Sequence, residues 1–324
     1  MRRIMLTVAY DGTNYSGWQI QPNKETIEGV LNRELSRLLR EEIKVVGASR
    51  TDSGVHAEGA VCVFDTESKI PGDKFSYAIN QTLPEDIRIR SSKEVDITFH
   101  PRRVNSRKTY RYRIRHDEFP NPLDARYAYH VYTRLDIEAM RRACEFIKGK
   151  HDFKSFCSVH TDVDTTVRTV YDVHIDVTPD KKLLQMSGLM KSRGVSESTA
   201  TEGVSDAKDL MEGLRVSTVD ADVNSANASV TGSDINSART SVTGPDMNRA
   251  RSSVKIQPEI IDIYVTGNGF LYNMVRIIAG TLIEVGQGKI KPEEIPAIIE
   301  ACDREKAGPT APAKGLTLIG YKMM

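Results

Sequence analysis

Residues 45–64 read "VVGASRTDSGVHAEGAVCVF". Both ends of the stretch are β-branched and apolar, while its middle gathers the Ser, Asp and Gly of a turn. It reads as strand, loop, strand, and the loop holds Arg50, Asp52 and His56. An Asp followed by Ser-Gly commonly serves a turn through an Asx hydrogen bond. A functional reading needs partners, and two flank it. An arginine close to a carboxylate lowers its pKa and keeps it ionised, as a nucleophile or an electrostatic stabiliser requires. His56 taken alone reads either as a structural hydrogen-bonder or as a base.

Outward from this loop, strands and helices mix without steady βαβ alternation. "RIMLTVAY" (3–10) reads as a strand, followed by the turn residues of "DGTNYSGWQ" with the single tryptophan. From Thr26 to Arg40 the apolar residues Ile27, Val30, Leu31, Leu35, Leu38 and Leu39 recur at three and four, which is an amphipathic helix. Residues 74–83 read as helical, 86–114 as mostly extended, 134–149 as helical and 167–177 as extended. The expected class is α+β, an antiparallel sheet with helices packed to one side.

Residues 191–254 differ in kind. They contain no Phe, Trp, Tyr or Cys, and a twelve-residue unit recurs in them: "DVNSANASVTGS" from Asp222, "DINSARTSVTGP" from Asp234 and "DMNRARSSV" from Asp246. Each unit offers too few apolar side chains to offset chain entropy, so the segment is expected to be a disordered insertion, with a short β-repeat stack as the other reading. It holds seven basic and nine acidic residues, which leaves 38 and 35 in the remainder, a net +3.

The whole chain, 324 residues with 45 basic against 44 acidic side chains, has no global charge that would mark a nucleic-acid partner. Local clustering does. "HPRRVNSRKTYRYRIRH" (100–116) has seven Lys or Arg among 17 residues and no acid. In an extended strand Tyr110, Tyr112 and Ile114 share one face and Arg111, Arg113 and Arg115 the other, so one face can stack on bases while the other meets phosphate. A solvated edge strand with buried tyrosines is the alternative. The four cysteines are far apart and form no C-x-x-C pair, which argues against a zinc site or a disulfide framework. His151 and Asp152 lack a third ligand nearby, and no phosphate-loop, G-x-S-x-G or Rossmann glycine pattern occurs. Neither a signal h-region nor an apolar stretch of membrane-spanning length is seen, so a cytoplasmic protein without membrane contact is expected.

"GNGFLYNMVRIIAGTLIEVG" (267–286) reads as a helix with Phe270, Leu271, Met274, Val275, Ile278, Leu282 and Val285 on one face and Tyr272, Asn273, Arg276, Ala279 and Gly280 opposite. Because Arg276 and Glu284 are its only charges, the second face is expected to be covered too, with Arg276 pointing at a carboxylate or a phosphate.

Together these blocks resemble the tRNA pseudouridine synthases of the A type, which act on uridines 38 to 40 of the anticodon arm. The resemblance rests on "YDGTNYSGWQIQ" (10–21), "SRTDSGVHA" (49–57), "FHPR" (99–102), "KTYRYRI" (108–114), "GKHDFKSF" (149–156), "GNGFLYNMVRIIAG" (267–280) and "TAPAKGLTL" (310–318), in the family's order. Ser53 replaces the alanine usual after the catalytic aspartate, and Ile20 stands where a basic residue is common. The resemblance implies Asp52 as nucleophile, Tyr110 as the aromatic on the target base and Arg276 as the partner of Asp52. Arg50, His56, Arg102, Lys108, Arg111 and Arg113 are the RNA-binding candidates. It also implies two similar halves, residues 1–105 and residues 106–190 with 255–324, each an antiparallel sheet backed by helices and joined into one sheet with a central cleft. A homodimer, a tRNA substrate and no cofactor or metal complete the expectation. The carboxylate either attacks the sugar or assists an elimination. An RNA-binding protein without the chemistry is the rival from another class.

Overall fold

The computed structural model describes residues 1–158, 164–180 and 259–324, and the repeat segment 191–254 lies outside the described residues. The described chain builds one ten-stranded, mostly antiparallel sheet with its helices on one face. In the N-terminal part, β1 (Arg2–Tyr10) lies between β3 (His56–Thr66) and β4 (Ile87–Val95), antiparallel to both, and the short β2 (Val46–Gly47) pairs with β3. In the C-terminal part, β5 (Ser106–His116) is flanked by β10 (Leu316–Met323) and β9 (Glu259–Gly267). β8 (Val167–Pro179) and β7 (Gly149–Asp152) then follow outward, and β6 (Tyr129–Val131) pairs with β5. The two parts meet where β10 runs parallel to β3, pairing Thr317 with His56 and Leu318 with Ala57.

Helix α1 (Ile27–Leu39) starts where the pattern places it, because the Thr26 hydroxyl accepts the Gly29 N–H at 3.2 Å and caps the first turn. Its buried stripe, Ile27, Val30, Leu31 and Leu35, joins Ile4, Leu6 and Val8 of β1 and Phe64 of β3 in one core that extends to Met140, Ile147, Met274 and Ile278 of the C-terminal part. Among the described residues the other sheet face carries a small cluster of Met5, Ala48, Val61 and Val63.

Three elements depart from their expected bounds. The helix expected over 74–83 is α2 (Phe75–Ile79), cut short because Asn80 turns its amide onto β4, accepting from the Ile89 N–H and donating to the Ile89 carbonyl, both at 2.8 Å. Over 134–149 the helix is α3 (Ile137–Ile147), begun late by Asp136, whose carboxylate accepts the Ala139 N–H at 2.9 Å. The helix expected over 267–286 is α4 (Met274–Gly286), and Phe270 to Asn273 precede it as a loop. A short α5 (Ile295–Glu300) follows. Both faces of α4 are covered as expected, with Ala279, Gly280 and Thr281 as buried as the apolar stripe. No helix among the described residues is long and apolar enough to cross a membrane.

Candidate active site

Asp52 stands in the loop between β2 and β3, and that loop is held by the segment that follows β1. The Trp18 N–H donates to the Thr51 carbonyl at 3.0 Å, the Gly54 N–H and the Ser53 hydroxyl both donate to the Tyr15 carbonyl, and the Tyr10 and Thr51 hydroxyls meet at 2.8 Å. Gly17 permits the contact: its φ is +88°, and a Cβ there would lie 2.7 Å from the Thr51 carbonyl oxygen. The serine that departs from the family alanine is thus used in securing the loop.

From this support Asp52 projects into a cleft of about 750 Å³ on the helix-bearing side, together with Tyr110 of β5, Leu271 just before α4 and Val275 in its first turn. Arg276 of α4 faces it, with Nη1 3.7 Å from Asp52 Oδ2 and the two side chains 18% and 19% exposed. Burial pushes the Asp52 carboxyl above the ordinary aspartate range, and the charge of Arg276 opposes that shift without cancelling it. This corrects the expectation that a neighbouring arginine leaves the pKa depressed: desolvation is the larger effect. The arginine in question is also Arg276, since Arg50 is exposed on the cleft rim.

Arg276 is anchored independently of Asp52. Its Nε donates to the Ala311 carbonyl at 2.8 Å, its Nη1 donates to Asn273 Oδ1 at 2.7 Å, and the Ala311 N–H donates back to the Arg276 carbonyl. The 308–311 segment is pinned to α4 by the Gly308 N–H, which donates to the Thr281 hydroxyl at 2.9 Å. Gly280 lets the two approach, because a Cβ on it would fall 1.8 Å from the Pro309 carbonyl oxygen.

Tyr110 is 7% exposed, and its ring meets Phe270 edge-on at 5.3 Å. Burial, with Asp52 nearby, raises its phenol and keeps it neutral. Farther along the cleft wall Lys108 donates to the Ala48 carbonyl at 3.0 Å and Arg102 Nε to the Gly47 carbonyl at 2.8 Å. Burial lowers the Lys108 ammonium, and Arg102 and Arg168 lower it further; Arg102 is itself lowered by burial and by Arg50. Among the described residues none of Arg50, Arg102, Lys108 and Arg168 forms an ion pair with a carboxylate. Arg50, Arg102 and Lys108 line one wall with Arg168 close to Lys108, and backbone carbonyls receive the protons of Arg102, Lys108 and Arg168, an arrangement that phosphate relieves.

The remaining RNA-binding candidates lie elsewhere. Arg111 and Arg113 point to the opposite sheet face, as strand alternation requires once Tyr110 faces the cleft. Arg111 pairs with Glu58 at 3.1 Å, and Arg113 donates two hydrogen bonds to Asp262, at 2.8 and 2.7 Å. Arg115, 3% exposed, is met by Asp124 and Asp180. The arginine face of β5 is therefore neutralised by the protein's own acids and is not brought to Asp52. His56, 4% exposed, lies on that far side too; its Nδ1 accepts the Gly12 N–H at 3.1 Å and its Nε2 donates to the Arg126 carbonyl at 3.0 Å. Both ring nitrogens are engaged, so His56 is a structural hydrogen-bonder with no access to the cleft. His151 and Asp152 likewise serve their own turn, with Nε2 on the Lys148 carbonyl and Oδ1 accepting the Lys154 N–H.

Asn273, Ala311 and Arg168 were not singled out as parts of the site from sequence. Asn273 carried a signal, being a polar residue three positions before a near-lone arginine on an apolar helix.

The sequence profile described as tRNA pseudouridine synthase matches residues 6–102 and 143–322. Among curated proteins the chain is similar to the tRNA pseudouridine synthase A of Ruminiclostridium cellulolyticum, 40% identical over 319 residues, and to that of Caldicellulosiruptor bescii, 37% identical over 319 residues. It is also 38% identical over 320 residues to the tRNA pseudouridine synthase A of Brevibacillus brevis, and in all three cases 98% of each chain is covered. A family profile that matches most of the chain and relatives 37–40% identical over nearly its whole length leave one reading: this chain belongs to the tRNA pseudouridine synthase family, isomerases that act on uridine in tRNA.

Proposed function

We propose that the cleft receives the anticodon arm of a tRNA and converts uridines at positions 38 to 40 to pseudouridine, with Asp52 as nucleophile. The observation that carries this reading is the Asp52–Arg276 pair, largely shielded from solvent in a cleft that Tyr110 also lines. Isomerisation breaks the N1 to C1′ bond, turns the uracil and rejoins it through C5; the proton lost from C5 is matched by the one N1 gains. No electron, phosphoryl group or second substrate enters the balance, so the reaction by its stoichiometry calls for no cofactor.

The base must first leave its stack, at a cost of a few kcal/mol. Stacking on an aromatic such as Tyr110 returns about 1–3 kcal/mol, and phosphate contacts along the Arg50, Arg102 and Lys108 wall supply the rest. In that pocket Asp52 meets C1′ with little water to displace, while Arg276 supplies the charge that makes its ionised form tolerable.

The proposal extends to a homodimer acting in the cytoplasm, and to two halves, residues 1–105 and residues 106–190 with 255–324, meeting at this cleft. Sedimentation reporting twice the 36.2 kDa chain mass supports the dimer, and a monomer at working concentration removes it. The reaction itself is tested by incubating the protein with an unmodified tRNA transcript and mapping pseudouridine by carbodiimide adducts. Product at positions 38 to 40 is expected, and product confined to another arm overturns the assignment of substrate.

A further inference from the structure

Asn273 sits just before the first turn of α4 with φ 61° and ψ 5°, the left-handed region that residues other than glycine rarely occupy. An asparagine at this position ordinarily turns its oxygen onto the amides of the first turn. Here the side chain makes no capping hydrogen bond. Its Oδ1 accepts from Arg276 Nη1 at 2.7 Å, and its Nδ2 donates to the Ser158 hydroxyl at 2.8 Å. Because a guanidinium only donates, the amide has one orientation that serves both partners. Ser158 is itself tethered, with its N–H donating to the Tyr272 carbonyl at 3.2 Å.

The two protein contacts of the guanidinium, to Asn273 and to Ala311, are both shorter than the 3.7 Å separation from Asp52. Asp52 therefore does not place Arg276; the two anchors do. Of these, Ala311 contributes a backbone carbonyl, so among the described residues Asn273 is the side chain that holds the guanidinium from outside the Asp52 pair. A charge moved away from a shielded carboxylate loses its hold on that carboxylate's proton affinity.

We propose that Asn273 is a positioning residue that holds Arg276 beside Asp52 and thereby sets the pH range in which the reaction runs. The inference rests on the reading of Asp52 as nucleophile. Asp52 faces Arg276 from α4 and Tyr110 from β5, has Arg50 on its own loop, and shares its cleft with Lys24, Arg102 and Lys108.

The test compares wild type, Asn273→Gly, Asn273→Asp and Asp52→Asn by single-turnover rate on a tRNA transcript across pH, by tRNA affinity and by thermal unfolding. Glycine accepts the left-handed backbone while removing both hydrogen bonds. Asn273→Gly is expected to slow the reaction about tenfold or more, the scale of a lost hydrogen bond to a charged group. Its tRNA affinity should stay within about threefold, since affinity comes chiefly from phosphate contacts. The acid limb of its rate profile should move to higher pH, because Asp52 then holds its proton more tightly. Asn273→Asp, which neutralises part of the Arg276 charge, should move the limb in the same direction and serves if the glycine variant does not fold. An unmoved acid limb in the folded variants, whatever the rate, assigns Asn273 to local structure and overturns the proposal. If Asp52→Asn is inactive in that case, the nucleophile reading stands without it; if Asp52→Asn turns over, both fall.

Discussion

Asp52 combines two demands that oppose each other: a nucleophile must be ionised, and a dry pocket disfavours the ion. Its carboxyl lies above the ordinary range because burial outweighs Arg276, which has a consequence for stability. Over the window between the ordinary aspartate pKa of about 3.9 and the raised folded value, the native state binds more protons than the unfolded one. The stabilisation is then full below that window and is lost as pH rises through it. Asp52→Asn, which removes the buried charge, should melt at or above the wild-type temperature at about pH 7.5, with the difference shrinking as pH falls towards about 4. A variant melting well below wild type at neutral pH contradicts this sign. The cation wall makes a second expectation: Lys108→Ala and Arg102→Ala should each reduce the salt slope of tRNA binding by about one, while Arg113→Ala, paired with Asp262, leaves it unchanged. An equal effect at Arg113 would return the far sheet face to the RNA footprint. At this scale the motifs single out Asp52, Tyr110 and Arg276, which the fold brings to one cleft. Alternation along β5 separates tyrosines from arginines but carries no information on which face meets the cleft, and Glu58 and Asp262 lie too far off in sequence to be read as partners.

Helix α4 shows how an element can be judged correctly in kind and wrongly in extent. Apolar spacing continues through Phe270 and Leu271, so periodicity alone draws the helix too long; the left-handed Asn273 ends it at Met274. The covered second face was legible, because a helix with so few charges has no solvent side. What covers it was not, since the contact is made by backbone at 308–311. Gly280→Ala makes the point quantitative. Helix propensity alone favours alanine by about 1 kcal/mol, whereas overpacking against the Pro309 carbonyl costs about 1–3 kcal/mol or more. Denaturant titration should show Gly280→Ala destabilised, with slower turnover as Ala311 shifts from Arg276; a stabilised variant would mean that the helix and the 308–311 segment separate freely.

Across the whole molecule, the α+β class and the single-sided placement of helices follow from the absence of βαβ alternation. The join between the two parts does not, because it is a parallel pairing of β10 with β3 through two residue pairs contributed by segments about 260 positions apart. In sequence the repeat segment falls between β8 and β9, strands that remain paired as far as Pro179 and Glu259. The strand ends that bracket it, Pro179 and Glu259, are therefore adjacent, and shortening the connection between them costs little closure entropy. Deleting residues 191–254 should leave one cooperative melt, checked by calorimetry, and a broadened or split transition would show that the segment is part of the folding unit.

The most direct measurement is pseudouridine formation on one unmodified tRNA transcript by wild type and by Asp52→Asn, each first shown to bind that tRNA. The proposed chemistry predicts product at the anticodon arm with wild type and none with Asp52→Asn at affinity within a few fold. Product from Asp52→Asn at a comparable rate would contradict the central role given to that carboxylate.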